Sequence, residues 1–273
     1  MLGDSVVQRQ VNTSIIYFDV CAVLIWLIAL ALNHQWRPFM FSIIGFCVYY
    51  FVDAVVWMTW MKTRTIQSPF NPYLTQLWLQ LGPGIIHPSF FCLLLEGTFG
   101  PQRKKVCKEF WVTLFIGVQF VPAFMQQSIQ LDQTIIVSRT MKSQRWLFIL
   151  LGVMGYMYLI SLYVSAPNLW RICLYSIVVE GCFELSLYLS EIRKATLETI
   201  ILDSVIEFNV GAGLIVFLWR CMCSKEERAQ MRFNDEVKNN PATREILLSC
   251  IVCWHINQLW GSPHTVKPIL HGC

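Results

Sequence analysis

The chain has 273 residues, 55% of them hydrophobic and only 14% charged, with a mean hydropathy of +0.51 and a formal charge of +4. Soluble domains average about 25% charged residues, so this composition excludes an ordinary soluble fold and indicates a polytopic, all-α membrane protein. The modest, dispersed positive charge favours neither nucleic acid nor a strongly anionic partner.

A bilayer core of roughly 30 Å needs about 20 apolar residues per helix, and seven stretches qualify: 14–32, 39–61, 73–97, 110–125, 146–164, 172–189 and 199–221. The N-terminus, MLGDSVVQRQVNTS, is polar, and the first run is followed by further apolar segments, so it reads as a retained signal anchor. The second carries Asp53 in YYFVDAVVWMTW, with Tyr49, Tyr50 and Trp57 at helical spacing around it. In such a setting desolvation can keep a carboxyl neutral and ready to donate a proton; the alternative is a hydrogen bond to the next helix. Asp19, near the start of the first segment, reads as an interface residue.

Gly82, Pro83, Gly84 and Pro88 interrupt the third segment. Broken helices persist at membrane depth where protein or a cavity satisfies the freed backbone groups, so this segment is expected to line a pocket. His87 follows the break as a candidate proton shuttle, against a structural role, and Glu96 lies near the far end. The fourth segment is short and carries Gln119 and Pro122. Short connections make sequential helices antiparallel neighbours in one bundle spanning residues 1–222. The counts of Lys and Arg on the two sides are nearly even; the clusters at 103–108 and 220–228 favour a cytosolic C-terminus.

The two last segments form a hairpin with four acids in sequence otherwise fit for lipid: Glu180 and Glu184, then Asp203 and Glu207. Each pair is one helical turn apart, so two acidic stripes can face one another. Intramembrane acids cost a few kcal/mol and usually face a bundle interior or polar cavity, which makes this hairpin the expected site, against the reading that the acids only fix packing. Asn209 stands beside Glu207, and Gly211 and Gly213 permit close helix approach. Glu191, Arg193, Lys194 and Glu198 read as a solvated ion-pair cluster in the turn.

Residues 223–273 form a polar or interfacial tail. Cys250, Cys253, His255, His264 and His271 do not match the spacing of a closed zinc site. The cysteines inside apolar runs behave as small hydrophobes, and no disulfide framework follows. DDxxD, DxDD, Walker, HExxH and GxSxG patterns are absent, as is a seventh-segment lysine for a retinal Schiff base. No metal or other cofactor is expected.

Seven spans in a small chain, mid-membrane acids at Asp53, Glu180, Glu184, Asp203 and Glu207, and 14% aromatic residues together resemble the small integral membrane terpene cyclases of fungal meroterpenoid pathways. The resemblance is architectural, over residues 14–222. One branch of that family carries Asn-x-x-Trp-Glu, which is missing here; YFVDAVVW is a loose analogue. It implies metal-independent, acid-initiated cyclisation of a prenylated aromatic compound or its terminal epoxide by a multi-pass membrane protein, in the endoplasmic reticulum if the source is eukaryotic. Under that expectation Asp53 or Glu207 donates the proton and Glu180 or Asp203 is its partner, while Tyr50, Trp57, His87, Glu184 and Asn209 contact the lipophilic substrate. The alternative is a proton-coupled carrier or lipophile-binding protein using the same acids, supported by the broken third segment.

Overall fold

Apolar sequence becomes helix wherever no water is available to the backbone, because a helix satisfies its own N–H and C=O groups. The computed structural model follows that rule. It describes residues 6–100, 108–129, 131, 133–140, 142–162, 164, 166–194 and 197–230, with the side chains at 6, 7, 108, 142–146, 148, 166, 194, 197–204, 206–208, 229 and 230 outside the description.

Helix α1 (Ser14–Leu32) is followed by α2 (Trp36–Tyr50), which continues as a π-helix over Phe51–Trp60. Next come α3 (Pro72–Leu79), α4 (Leu81–Phe99), α5 (Lys108–Ser128), α6 (Lys142–Ser161), α7 (Ala166–Leu189), α8 (Leu197–Met222) and the short α9 (Lys225–Gln230). Among the described residues, five spans are long and apolar enough to cross a membrane: 14–32, 36–60, 72–99, 109–128 and 167–189. Two shorter apolar stretches, 149–161 and 209–222, follow the remaining expected segments. At about 1.5 Å per residue, the 19 residues of α1 extend about 28 Å, matching a bilayer core. Its outer face carries exposed Leu24, Ile25, Ile28 and Leu32, while Trp26 and Leu30 are fully buried.

The third span is the axis of the bundle, with 72% of its apolar window buried and α1, α2, α5, α7 and α8 packed against it. It breaks at Gln80, between α3 and α4, and Asn71 caps α3 by accepting from the Tyr73 and Leu74 N–H groups. Proline inside a helix lacks an N–H and crowds the carbonyl four residues back, here that of Gly84. Gly45 of α2 makes room for this arrangement: a Cβ at Gly45 would stand 2.4 Å from Pro88 Cγ and 2.6 Å from the Gly84 carbonyl oxygen. Nearby, the Trp26 indole N–H donates to Ser89 Oγ at 2.8 Å, and its ring meets Phe90, Trp111 and Phe115 edge-on.

A small β-sheet departs from the purely helical expectation. Strands β1 (Val6–Asn12), β2 (Arg64–Gln67), β3 (Thr134–Thr140) and β4 (Arg193–Lys194) form an antiparallel sheet in the order β2-β3-β1-β4. Two long apolar segments separate each strand from the next in sequence, so each pair of segments brings the chain back to the same end of the bundle. The register places Arg9 opposite both Val137 and Arg193, and Arg64 opposite Arg139. Strand side chains alternate between faces. Val11, Ile135 and Val137 are accordingly buried with Ile15, Ala123, Leu187 and Ile192 in a minor core beneath the sheet.

The other end is fastened differently. Arg37 at the start of α2 donates to Glu96 at 3.1 Å and to Glu227 of α9 at 2.5 Å, and Glu96 also accepts from the Trp219 indole N–H at 2.9 Å. The beginning of the expected tail is therefore tied to the bundle. Cys250, Cys253, His255, His264 and His271 lie outside the described residues.

Candidate functional site

The sheet and the helices line a cavity of about 740 Å³, within the range of about 300–1,000 Å³ typical of small-molecule sites. As expected, the broken third span lines it, through Gln80, Gly82, Pro83, Ile86 and Pro88. Strands β1, β2 and β3 contribute Arg9, Arg64 and Arg139. Val48 of α2, Leu151 and Met154 of α6, and Leu214 and Phe217 of α8 border the cavity and are also exposed at the bundle surface. That side of the cavity is apolar throughout and suited to lipid contact.

Asp53 lies at the sheet end of this cavity. The π-helix carries it, and i→i−5 bonding widens the turn, as in the Met61 N–H to Val56 carbonyl bond of 2.8 Å. Arg64 Nη1 donates to Asp53 Oδ2 at 2.7 Å, Gln76 Nε2 donates at 3.1 Å, and Gln80 Nε2 makes a close third contact to the same oxygen. Among the described residues Oδ1 accepts no hydrogen bond. β2 and the helix break bring a cation and two amides to it, so Asp53 is hydrogen-bonded to the next helices, the alternative expected beside that of a free donor among aromatic faces. A guanidinium can only donate, so the arrangement suits a carboxylate that accepts. Trp57, four residues on, lines the cavity, with the Arg139 guanidinium 5.5 Å from its ring centroid.

Glu180 of α7 also borders the cavity, with Oε2 3.6 Å from Nδ1 of the fully buried His87. The His87 ring stands edge-on to Phe183 at 5.0 Å and to Phe115 at 6.2 Å. The sequence candidates Glu180 and His87 are thus brought together across α7 and α4.

Glu184 is placed elsewhere. It is fully buried and does not border the cavity; Arg9 Nη2 donates to Oε1 at 2.9 Å, and Arg193 Nη1 forms a close ion pair with Oε2. The buried Arg193 corrects the reading of a solvated turn cluster, since β4 turns it inward onto α7. Tyr50 does not border the cavity, whereas Tyr49 does, because the helical rotation presents the neighbouring ring. Asn209 accepts from the Tyr156 hydroxyl at 2.5 Å and donates to the Val205 carbonyl at 2.6 Å, joining α6 to α8 outside the lining. Asp203 and Glu207 fall on α8, but their side chains lie outside the described residues, as does that of Glu198.

Two polar residues not singled out as site residues border the same cavity. Asp19 of α1 lies beside Gly82, where a Cβ would stand 3.8 Å from the Asp19 carboxyl carbon. Gln119 of α5 is buried, and its amide nitrogen has no hydrogen-bond partner among the described residues. Their sequence signal was an acid and an amide in otherwise apolar runs, the pattern already used for the hairpin. No protein-family model, curated protein or solved structure matches the chain.

Proposed function

We propose that this chain is a seven-span membrane-bound cyclase that closes rings in a prenylated aromatic compound, or its terminal epoxide, by acid-initiated, metal-independent chemistry. The observation that carries the reading is one largely apolar cavity of about 740 Å³ bordered by three carboxyl side chains, Asp19, Asp53 and Glu180. Burying acids in such a setting is costly, and enzymes use separate environments to divide acid and base roles between carboxyls. The seven-crossing, multi-pass topology is supported by the two shorter apolar stretches and by the return of four strands to one end. A lipophilic substrate reaches the site from the bilayer, past the apolar wall of α2, α6 and α8.

In this reading a carboxyl gives its proton to the epoxide oxygen, and the carbon–oxygen bond breaks. Alkene π electrons then form the new carbon–carbon bonds, and the final cation loses a proton to a carboxylate. The product is an isomer of the substrate. Asp53 is suited to the last step, since its three donors share Oδ2 and leave Oδ1 to accept. Glu180 and His87 form a relay, and aromatic faces such as Trp57 and Tyr49 stabilise intermediate cations. Asp203 and Glu207 remain candidates as acid and partner.

The test is conversion of farnesylated phenols and their terminal epoxides by membranes containing the protein, analysed by mass spectrometry and NMR. An isomeric product that is lost in Glu180→Gln, with the variant folded, supports the assignment. Substrate that crosses the bilayer unchanged refutes it in favour of a carrier.

A further inference from the structure

Among the acids whose side chains are described, five lie inside the apolar segments expected from the sequence: Asp19, Asp53, Glu96, Glu180 and Glu184. Asp53 takes three donors on one oxygen, Glu96 an arginine and an indole, Glu184 two arginines, and Glu180 faces His87. Asp19 alone has no hydrogen bond or ion pair among the described residues, although it borders the cavity. Glycine at position 82 leaves its carboxyl against bare backbone, with both oxygens 3.8–3.9 Å from the place a Cβ would occupy.

A second polar group borders the same cavity. Helix α5 packs against α1 and brings Gln119 to the same cavity, with 6% of its surface exposed and its amide nitrogen unpartnered among the described residues. A buried amide without a partner is unfavourable, and a ligand oxygen that meets it relieves that cost. A carboxyl and a carboxamide at an apolar wall recognise an uncharged oxygen function. An anionic head group would place like charges together whenever Asp19 is ionised.

We propose that Asp19 and Gln119 form the subsite for the uncharged oxygen of a lipophilic substrate, an epoxide, hydroxyl or carbonyl, and that Asp19 is the proton donor. The assignment rests on the cyclase reading above for its chemistry and on the cavity for its geometry. Gln119 holds the oxygen, Asp19 transfers its proton to it as the carbon–oxygen bond breaks, and the proton released at the end of cyclisation restores the acid through a carboxylate of the cavity.

The experiment uses the full-length protein in native membranes and needs no turnover. Dicyclohexylcarbodiimide, a lipophilic reagent, adds to a carboxyl that carries its own proton and leaves an N-acylurea that peptide mass spectrometry locates. Modification is expected at Asp19 and not at Asp53, which the Arg64 guanidinium holds. The terminal epoxide of farnesol at about ten times its Kd should suppress the adduct about tenfold, as occupancy requires. In Gln119→Leu the adduct should form while protection weakens, and in Asp19→Asn it should vanish. Absence of the adduct in folded protein, or an adduct that the epoxide does not suppress, overturns the proposal. A protected adduct in a protein that converts no substrate would instead overturn the cyclase reading and leave the subsite standing.

Discussion

Glu184 is the acid whose removal has the most calculable consequence. It is fully buried, and its partner Arg193 has a side chain only 2% exposed, while Arg9 keeps 24% and can be rehydrated. Removing one member of a buried ion pair leaves the other charge uncompensated, at a cost of about 3–5 kcal/mol. Glu184→Leu should therefore destabilise the protein by about that amount. Replacing a whole buried pair by apolar side chains of similar volume is often neutral or favourable. The double variant Glu184→Leu/Arg193→Met should consequently recover most of the loss. Equilibrium unfolding in mixed detergent micelles, followed by tryptophan fluorescence and circular dichroism, measures both. A single variant within about 1 kcal/mol of the parent, or a double variant no better than the single, would refute the assignment of Glu184 as the clamp between α7 and the sheet. Because Glu184 does not border the cavity, the double variant should also retain substrate binding.

Neighbouring glycines on α8 should differ sharply. A Cβ at Gly213 would stand 2.5 Å from the Gly155 Cα, so Gly213→Ala forces α6 and α8 apart at about 1–3 kcal/mol, whereas Gly211→Ala meets only Ile215 Cδ1 at 4.0 Å and should be near neutral; melting temperatures in detergent decide between them. Trp219→Phe deletes the indole donor to Glu96 and should cost about 1.5–3 kcal/mol in the same unfolding assay. Arg64→Leu should leave Asp53 without its cation and lower both stability and turnover, whereas a variant with unchanged activity removes the Asp53 assembly from the chemistry. Met154→Trp, on the exposed apolar wall, should raise KM for lipophilic substrate while leaving the melting temperature near its original value.

The helices were readable in the sequence because lipid requires long apolar runs, and the break in the third span was readable from Gly82, Pro83, Gly84 and Pro88. The break falls at Gln80, next to Leu79, whose carbonyl the Pro83 nitrogen cannot serve. The sheet was harder to read, because its strands are two to seven residues long and scattered through the N-terminal stretch and three connections. Nothing local to the polar N-terminal stretch indicated that β3, more than a hundred residues later, would pair with it. That long-range pairing also decided which acids are clamped. It brought Arg64 of β2, beyond the end of the helix, to Asp53, and turned Arg193 from the solvent onto Glu184. A position near a segment end suggests the interface for Asp19, and the cavity reaches the depth of α1 where it lies.

The strand order β2-β3-β1-β4 sets a timetable for biosynthesis. The inner strand β1 leaves the ribosome first, but its longer partner β3 begins only at Thr134, and β4 follows the whole of α7. At about 5–20 residues per second, the 128 residues from Val6 to Thr134 take roughly 6–26 seconds to make. Throughout that interval β1 has both edges unpaired, in a chain whose later helices are still being inserted. An N-terminal fusion that occupies those edges would block the sheet before it can close, while a C-terminal one would leave its assembly undisturbed.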